Sequence, residues 1–294
     1  MLWNQITAST CKKTKVSSSK RSNESVHAEA FKARIARPLH PLVASHYFNK
    51  YFFRLDIMHI IDLKGVIAIA AGSLLLPLVQ NDARLGRRQD ERMAEINKQM
   101  KEFQSQNGTQ HTMPPIRYEN LQSDGWACLG SKLVKAANSR CLVPFLRHLA
   151  EKYYSSPHGG YAKSVRKVFK ALDDVEAVFY SADMFLTDAE KLNLETSFNI
   201  LGRHWHYLRH LSHTDKRHEW FISPKVHYAT HAIAEQSKLI NPKAVQNYGE
   251  ESLVGRVTKL WGAAANGPYH AKAQLSTLCR YLVGLNIRLA SPHY

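Results

Sequence analysis

The residues best suited to chemistry fall into three groups. Asp56 and His59 stand three apart in the run Arg54, Leu55, Asp56, Ile57, Met58, His59. At the junction of an apolar strand and a helix, this spacing lets both side chains face one side of the first turn. A carboxylate and an imidazole so placed can position a metal, a water or a neighbouring carboxylate. The same pattern also serves structure alone, with Asp56 as a helix N-cap and His59 as a partly buried polar group.

The second group runs from Tyr248 to Lys259 and contains Glu250, Glu251, Gly255, Arg256 and Lys259. At ~100° per residue, Leu253, Val254, Val257, Leu260 and Trp261 gather on one helical face. Glu251, Gly255, Thr258 and Lys259 lie opposite, with Arg256 at the margin. A carboxylate beside a glycine and cations suits a metal lying against a phosphate backbone: glycine permits close approach, and Arg256 and Lys259 hold phosphates. Two acids at a helix N-terminus are also favoured by the helix dipole alone.

The third group is histidine. Of the 16 in the chain, seven lie between His204 and His231. His206 and His210 are four apart, as are His227 and His231, so each pair can share a helical face and bind zinc or another transition metal. Satisfied core or surface histidines fit the same spacing. No H-E-x-x-H, P-loop, G-x-G-x-x-G or G-x-S-x-G sequence occurs.

The elements that must position these groups read as helical. A short strand is expected at Tyr51–Leu55, then a buried helix over Ile57–Leu78. Arg84–Gln106 carries Met93, Ile96, Met100 and Phe103 at helical spacing, the stripe of an amphipathic helix. Further helices are predicted at about 126–138, 141–154, 161–183 and 187–213. Ser223 followed by Pro224 is a cap-and-first-position signal for a helix reaching about Leu239. Helices over Glu250–Trp261 and Ala271–Leu289 complete the chain, and no internal repeat is visible. Residues 1–30 read as a basic flexible tail and 31–290 as one mainly helical domain.

Composition narrows the partners. The formal net charge is +16 with a pI near 9.7, which points to a polyanion, nucleic acid first among them. Residues 1–54 hold ten Lys or Arg against Glu24 and Glu29, giving this stretch +8, and residues 1–55 contain no Asp. Cys11, Cys128, Cys141 and Cys279 form no C-x-x-C pair, which excludes a zinc ribbon or a secreted disulfide framework and fits reduced thiols. No apolar signal segment opens the chain, although its basic, Ser-rich start also resembles a transit peptide. The apolar run Gly65–Val79 falls short of the ~18–20 residues that span a bilayer, so a buried core helix and no membrane partner are expected.

Taken together, the segments resemble the C-terminal half of eukaryotic cut-and-paste transposases with an RNase H-like DDE catalytic domain. The likeness is to transposon-derived proteins of the CACTA-like kind, including algal ones. Asp56 to His59, followed by Ile60 to Gly65, is similar to the family's D-x-M-H…L-G block. Ser223 to His231 is similar to its Pro-Lys-x-His block, and Tyr248 to Lys259 to its final acid block. The step of 195 positions from Asp56 to Glu251 resembles the long helical insertion such families place before the last acid.

The resemblance implies a mainly α fold: a helical insertion domain (84–213) with remnants of an RNase H-like core at its two ends (56–78 and 223–290). It implies Asp56, His59 and Glu251 as catalytic positions, with Asp56 and Glu251 holding Mg²⁺ or Mn²⁺ and Glu251 preferred to Glu250. The alternative metal site is His227 and His231, and no cofactor at all is also compatible. Lys225, Arg256 and Lys259 would contact DNA, in a nuclear protein compatible with a homo-oligomer. The family's first acid has no counterpart, so the expectation is a catalytically incomplete, transposase-like fragment that retains a basic DNA-contacting surface. The competing readings are a non-enzymatic DNA-binding module and a histidine-dependent metalloprotein.

Overall fold

The computed structural model describes residues 54–108, 113–130, 135–155 and 159–246. By compactness the chain divides into residues 1–245 and 246–294, and the described residues belong to the first unit apart from Gln246. That unit is mainly helical. It opens on a π-helical turn, Met58–Asp62, and continues with α1 (Val66–Asn81), α2 (Gln89–Asn107), a hairpin of β1 (Gln122–Ser123) and β2 (Trp126–Ala127), then α3 (Ala136–Tyr153), α4 (Gly160–Ser181), α5 (Asp188–Thr214) and α6 (Pro224–Ala234). Short 3₁₀ turns at Ala83–Leu85, Tyr118–Leu121, Gln236–Lys238 and Pro242–Val245 join them.

The centre of the unit is α1. Its sequence is apolar around the whole circumference, and 13 of its 16 residues are buried, so it must be enclosed rather than merely covered on one face. Counted from Met58 to Asn81 the segment is 24 residues long and apolar enough to cross a bilayer, which corrects the length argument from Gly65–Val79. Its most apolar window is nevertheless 83% buried within the protein.

Enclosure demands close approach at one point. A Cβ on Gly72 would lie 2.3 Å from the backbone nitrogen of Cys128, so glycine is what lets the chain after β2 lie directly on α1. The Leu129 N–H then donates to the Ala68 carbonyl at 2.8 Å, and the Ala127 N–H to the His218 carbonyl at 2.8 Å. From the other side the Trp220 N–H donates to Ser73 Oγ at 2.8 Å. Trp220 is fully buried, its carbonyl accepts the Trp205 indole N–H at 3.1 Å, and the two indoles meet edge to face at 5.3 Å.

The remaining helices follow their sequence signals. Met93, Ile96 and Met100 are buried, and Phe103 packs on Phe145 at 5.7 Å between ring centres, the stripe expected of α2. Arg92 closes the end of α1 by donating to the carbonyls of Val79 at 3.0 Å and Gln80 at 2.5 Å. Helices α4 and α5 form an antiparallel hairpin, in which His204 of α5 meets Ser164 near the start of α4 at 3.0 Å. The turn between them is held by Asn241, whose amide donates to the carbonyls of Phe179 at 3.1 Å, Ala182 at 3.3 Å and Asp183 at 3.1 Å. Thr187 and Glu190 cap α5 reciprocally, and Ser223 with Pro224 starts α6 as its sequence predicts.

Three expectations are corrected. Arg54 and Leu55, the described part of the expected strand, pair with no strand among the described residues. The single helix over Ile57–Leu78 is instead a π turn and an α-helix separated at Leu63–Gly65. The helix expected over 126–138 starts only at Ala136, because Asp124 and Gly125 both take positive φ (52° and 77°) and turn the chain into a hairpin pairing Ser123 with Trp126. The helices expected over 250–261 and 271–289 lie outside the described residues.

Gly72→Ala must force the 126–130 segment away from α1. The expected cost is about 3 kcal/mol, seen as a melting temperature lower by roughly 6–12 °C; an unchanged melt would show that the close approach is not required.

Candidate functional site

The D-x-x-H pair is formed as its spacing predicts. Asp56 Oδ2 and His59 Nδ1 are 2.5 Å apart, with the side chain of Asp56 17% exposed and that of His59 41%. The other carboxylate oxygen, Oδ1, accepts the Met58 N–H at 3.0 Å. Asp56 therefore does both things its position allowed: it caps the start of the turn and holds the imidazole. The turn itself widens to π geometry, with the Leu63 N–H donating to the Met58 carbonyl at 2.7 Å. Its apolar members Met58, Ile60 and Ile61 are buried while His59 stays half exposed.

Immediately after the turn the chain doubles back. A Cβ on Gly65 would fall 1.8 Å from the Ile60 carbonyl oxygen, so only glycine fits there. Lys64 beside it takes a left-handed conformation, φ 51°.

Two distant segments fasten onto this turn. The Lys225 ammonium donates to the Leu63 carbonyl at 2.7 Å across 162 positions of sequence. Gln236, almost fully buried, accepts the Leu55 N–H at 2.8 Å and donates to the Leu55 carbonyl at 3.2 Å, across 181 positions. Helix α6 packs against the π turn between these two ties. Lys225 is thus half buried and bonded to backbone; burial first, then the nearby Lys64 charge, lowers its pKa. Cys128 sits near both lysines, and burial pushes its thiol up to about 11, which disfavours the reactive thiolate.

The second histidine pair is also formed. His227 and His231 in α6 bring their Nε2 atoms to 3.2 Å, and His231 Nδ1 lies 3.2 Å from Glu235 Oε1. Burial, followed by the charge on His231, lowers the pKa of His227. In the other pair, His206 is half buried in α5, which lowers its pKa, whereas His210 is exposed. Among the described residues no group of three or more His, Cys, Asp or Glu is arranged to hold a metal ion. Glu250, Glu251, Arg256 and Lys259 lie outside the described residues.

One carboxylate in this region carries no signal in the sequence. Glu176 lies in the middle of α4 and is 7% exposed, and its Oε2 has no hydrogen-bond partner among the described residues. Desolvation, followed by the charge of Asp62 at the end of the π turn, raises its pKa well above the ordinary value; Arg140 opposes the shift and Asp173 adds to it. Asp62 is 1% exposed. The Arg140 guanidinium lies over the Tyr180 ring at 4.2 Å, and Asp173 is bridged to Arg147 at 2.6 Å. Acids one turn apart on an amphipathic helix ordinarily mark its solvated face, so nothing in the spacing of Glu176 distinguishes it.

Because Glu176 keeps its proton in the fold at pH values where the unfolded chain has lost it, the folded state binds more protons than the unfolded one. Its contribution therefore declines as pH rises above the ordinary glutamate value of 4.5 toward the raised folded value. Glu176→Gln, which keeps a neutral side chain of the same shape, should match the parent chain in melting temperature at mildly acidic pH and exceed it at alkaline pH. Parallel pH–melting curves for the two proteins would sink this assignment.

Comparison of the chain with protein-family models, with characterised proteins and with solved structures gives no match.

Proposed function

We propose that this chain is a transposase-like protein that engages DNA through its phosphate backbone and does not cleave strands by itself. The observation that carries the reading is the convergence of two sequence blocks on one structure. The segment Asp56–Gly65 and the segment Ser223–His231 each resemble a block of the DDE transposases, and Lys225 bonds the second to the first at Leu63. The contact brings the two resembling blocks, 162 positions apart, to one place, as a single functional unit requires. The net charge of +16 supports a polyanionic partner.

In this reading Asp56 would serve as a carboxylate ligand to Mg²⁺ or Mn²⁺, and His59, fixed by Asp56, would orient a water or a phosphate oxygen beside it; Glu251, the other acid that the resemblance matches, lies outside the described residues. Such metals activate the attacking oxygen and stabilise the leaving one. The carboxylates that the resemblance matches number two rather than three, and a two-metal site depends on all of them. DNA contact thus rests on charge, through Arg256, Lys259 and the basic residues before Arg54. A nuclear location is part of the same proposal and is supported by the basic character of the chain.

Phosphate binding has a direct signature. For about six neutralised phosphates, affinity for duplex DNA should fall on the order of a thousandfold between roughly 50 and 200 mM salt, with little dependence on base sequence. Arg256→Ala and Lys259→Ala should each reduce the slope of log K against log salt by about 0.9. Binding that is absent at low salt, or flat with salt, removes the reading. Strand cleavage by the chain in Mg²⁺, lost in Glu251→Ala, would overturn its catalytic half and leave the DNA contact standing.

A further inference from the structure

We propose that His227 and His231 form a bis-imidazole site for a divalent transition-metal ion of the zinc, nickel and copper class. The site stands on α6 geometry alone and does not depend on the DNA reading. The two residues occupy positions i and i+4 of a regular helix, which places both rings on one face. Their Nε2 atoms converge to 3.2 Å, and the rings stand edge to face with centres 4.8 Å apart and planes at 87°. Around a tetrahedral ion with metal–nitrogen bonds of about 2.0–2.1 Å, adjacent ligand atoms are about 3.3–3.4 Å apart. The pair is therefore spaced as a chelate before any ion arrives.

Tautomers explain why a cation belongs between these nitrogens. Glu235, one turn on, presents Oε1 at 3.2 Å to His231 Nδ1. A carboxylate only accepts, so Nδ1 carries the hydrogen and the lone pair of His231 resides on Nε2. That lone pair faces His227 Nε2, and two lone pairs at this separation repel. Either His227 supplies an N–H between them or a metal takes the place of that hydrogen, which moves to Nδ1 of His227, so a neutral pair takes up the ion by a change of tautomer. A carboxylate on the far nitrogen also raises the basicity of the ligand and fixes its ring, the usual outer-shell support of a metal-bound histidine.

The site is open. The side chains of His231 and Glu235 are 35% and 77% exposed, so an ion enters from solvent and completes its coordination with water. With two protein ligands the order of affinity follows the intrinsic series, copper above nickel and zinc.

The test is calorimetric titration of the full chain with Zn²⁺, Ni²⁺ and Cu²⁺ at neutral pH. One saturable equivalent is expected for each ion. It should be lost in the double variant His227→Ala/His231→Ala, retained in His210→Ala, and weakened on the order of tenfold in Glu235→Gln. Circular dichroism and the metal-free melt show whether the double variant folds; if it does not, the copper electron-paramagnetic spectrum of the parent chain decides. Coupling to two imidazole nitrogens upholds the site, and its absence overturns it. An equivalent that persists in a folded double variant, or no saturable binding by any of the three ions, also overturns it.

Discussion

A helix that is apolar on every side imposes a stronger demand than an amphipathic one, and α1 makes that demand on the whole described unit. One partner layer can cover a stripe, but the circumference of α1 requires neighbours all round. The chain supplies them from several later segments: α2 and α3, the 126–130 segment on Gly72, and the Trp220 loop on Ser73. The buried aromatic cluster of Phe169, Trp205 and Trp220 is the far wall of the same enclosure. Burial of the 58–81 segment also accounts for a stretch that composition alone would allow in a bilayer.

The candidate site inherits its order from this core. The π turn is the N-terminal extension of the enclosed helix, so its backbone is fixed by Gly65 on one side and by Leu55 and Leu63 on the other. Each tie uses a side chain on a main-chain group: the Lys225 ammonium on a carbonyl, the Gln236 amide on a donor and an acceptor together. Partly buried ties to main-chain groups are screened less by salt than surface ion pairs are. Asp56 then has one oxygen for the turn and one for His59, which makes the orientation of the imidazole a consequence of the fold rather than of a ligand.

Much of this was legible in residue order. The apolar run of α1, the Met93–Phe103 stripe, the Ser223 and Pro224 start and the Asp56–His59 pair all depend on contacts within a few residues, where periodicity and capping chemistry are local. The hairpin was legible too, since Asp124 and Gly125 are a strong two-residue turn signal, but helical propensity around Ala127 and Ala136 obscures it. Other features were not readable because their causes lie far away in sequence. Nothing near Gly72 indicates that Cys128 will rest on it, and nothing near Lys225 indicates that its charge will meet the Leu63 carbonyl. The resemblance gave Lys225 as a DNA contact, and its bond to the Leu63 carbonyl is an additional role that no neighbouring residue announces. Glu176 is the sharpest case, for its burial comes from the packing of α3, α4 and the π turn together.

The two charge arrangements beside α6 and α4 follow opposite rules, and the difference bears on what each can do. Glu176 is enclosed, so its carboxyl avoids charge by holding a proton, and Asp62 nearby makes ionisation costlier still. Such a group adds shape and a proton to the core but offers no lone pair to an ion from solvent. The His227 and His231 pair stands at the surface, where the repulsion between facing nitrogens is relieved by whatever cation can reach them. Burial on one side and exposure on the other thus sort titratable side chains of a single unit into those that set its pH response and those open to a ligand. Sequence spacing ranks both alike, as polar residues on helices, and only the depth at which packing leaves them separates the two roles.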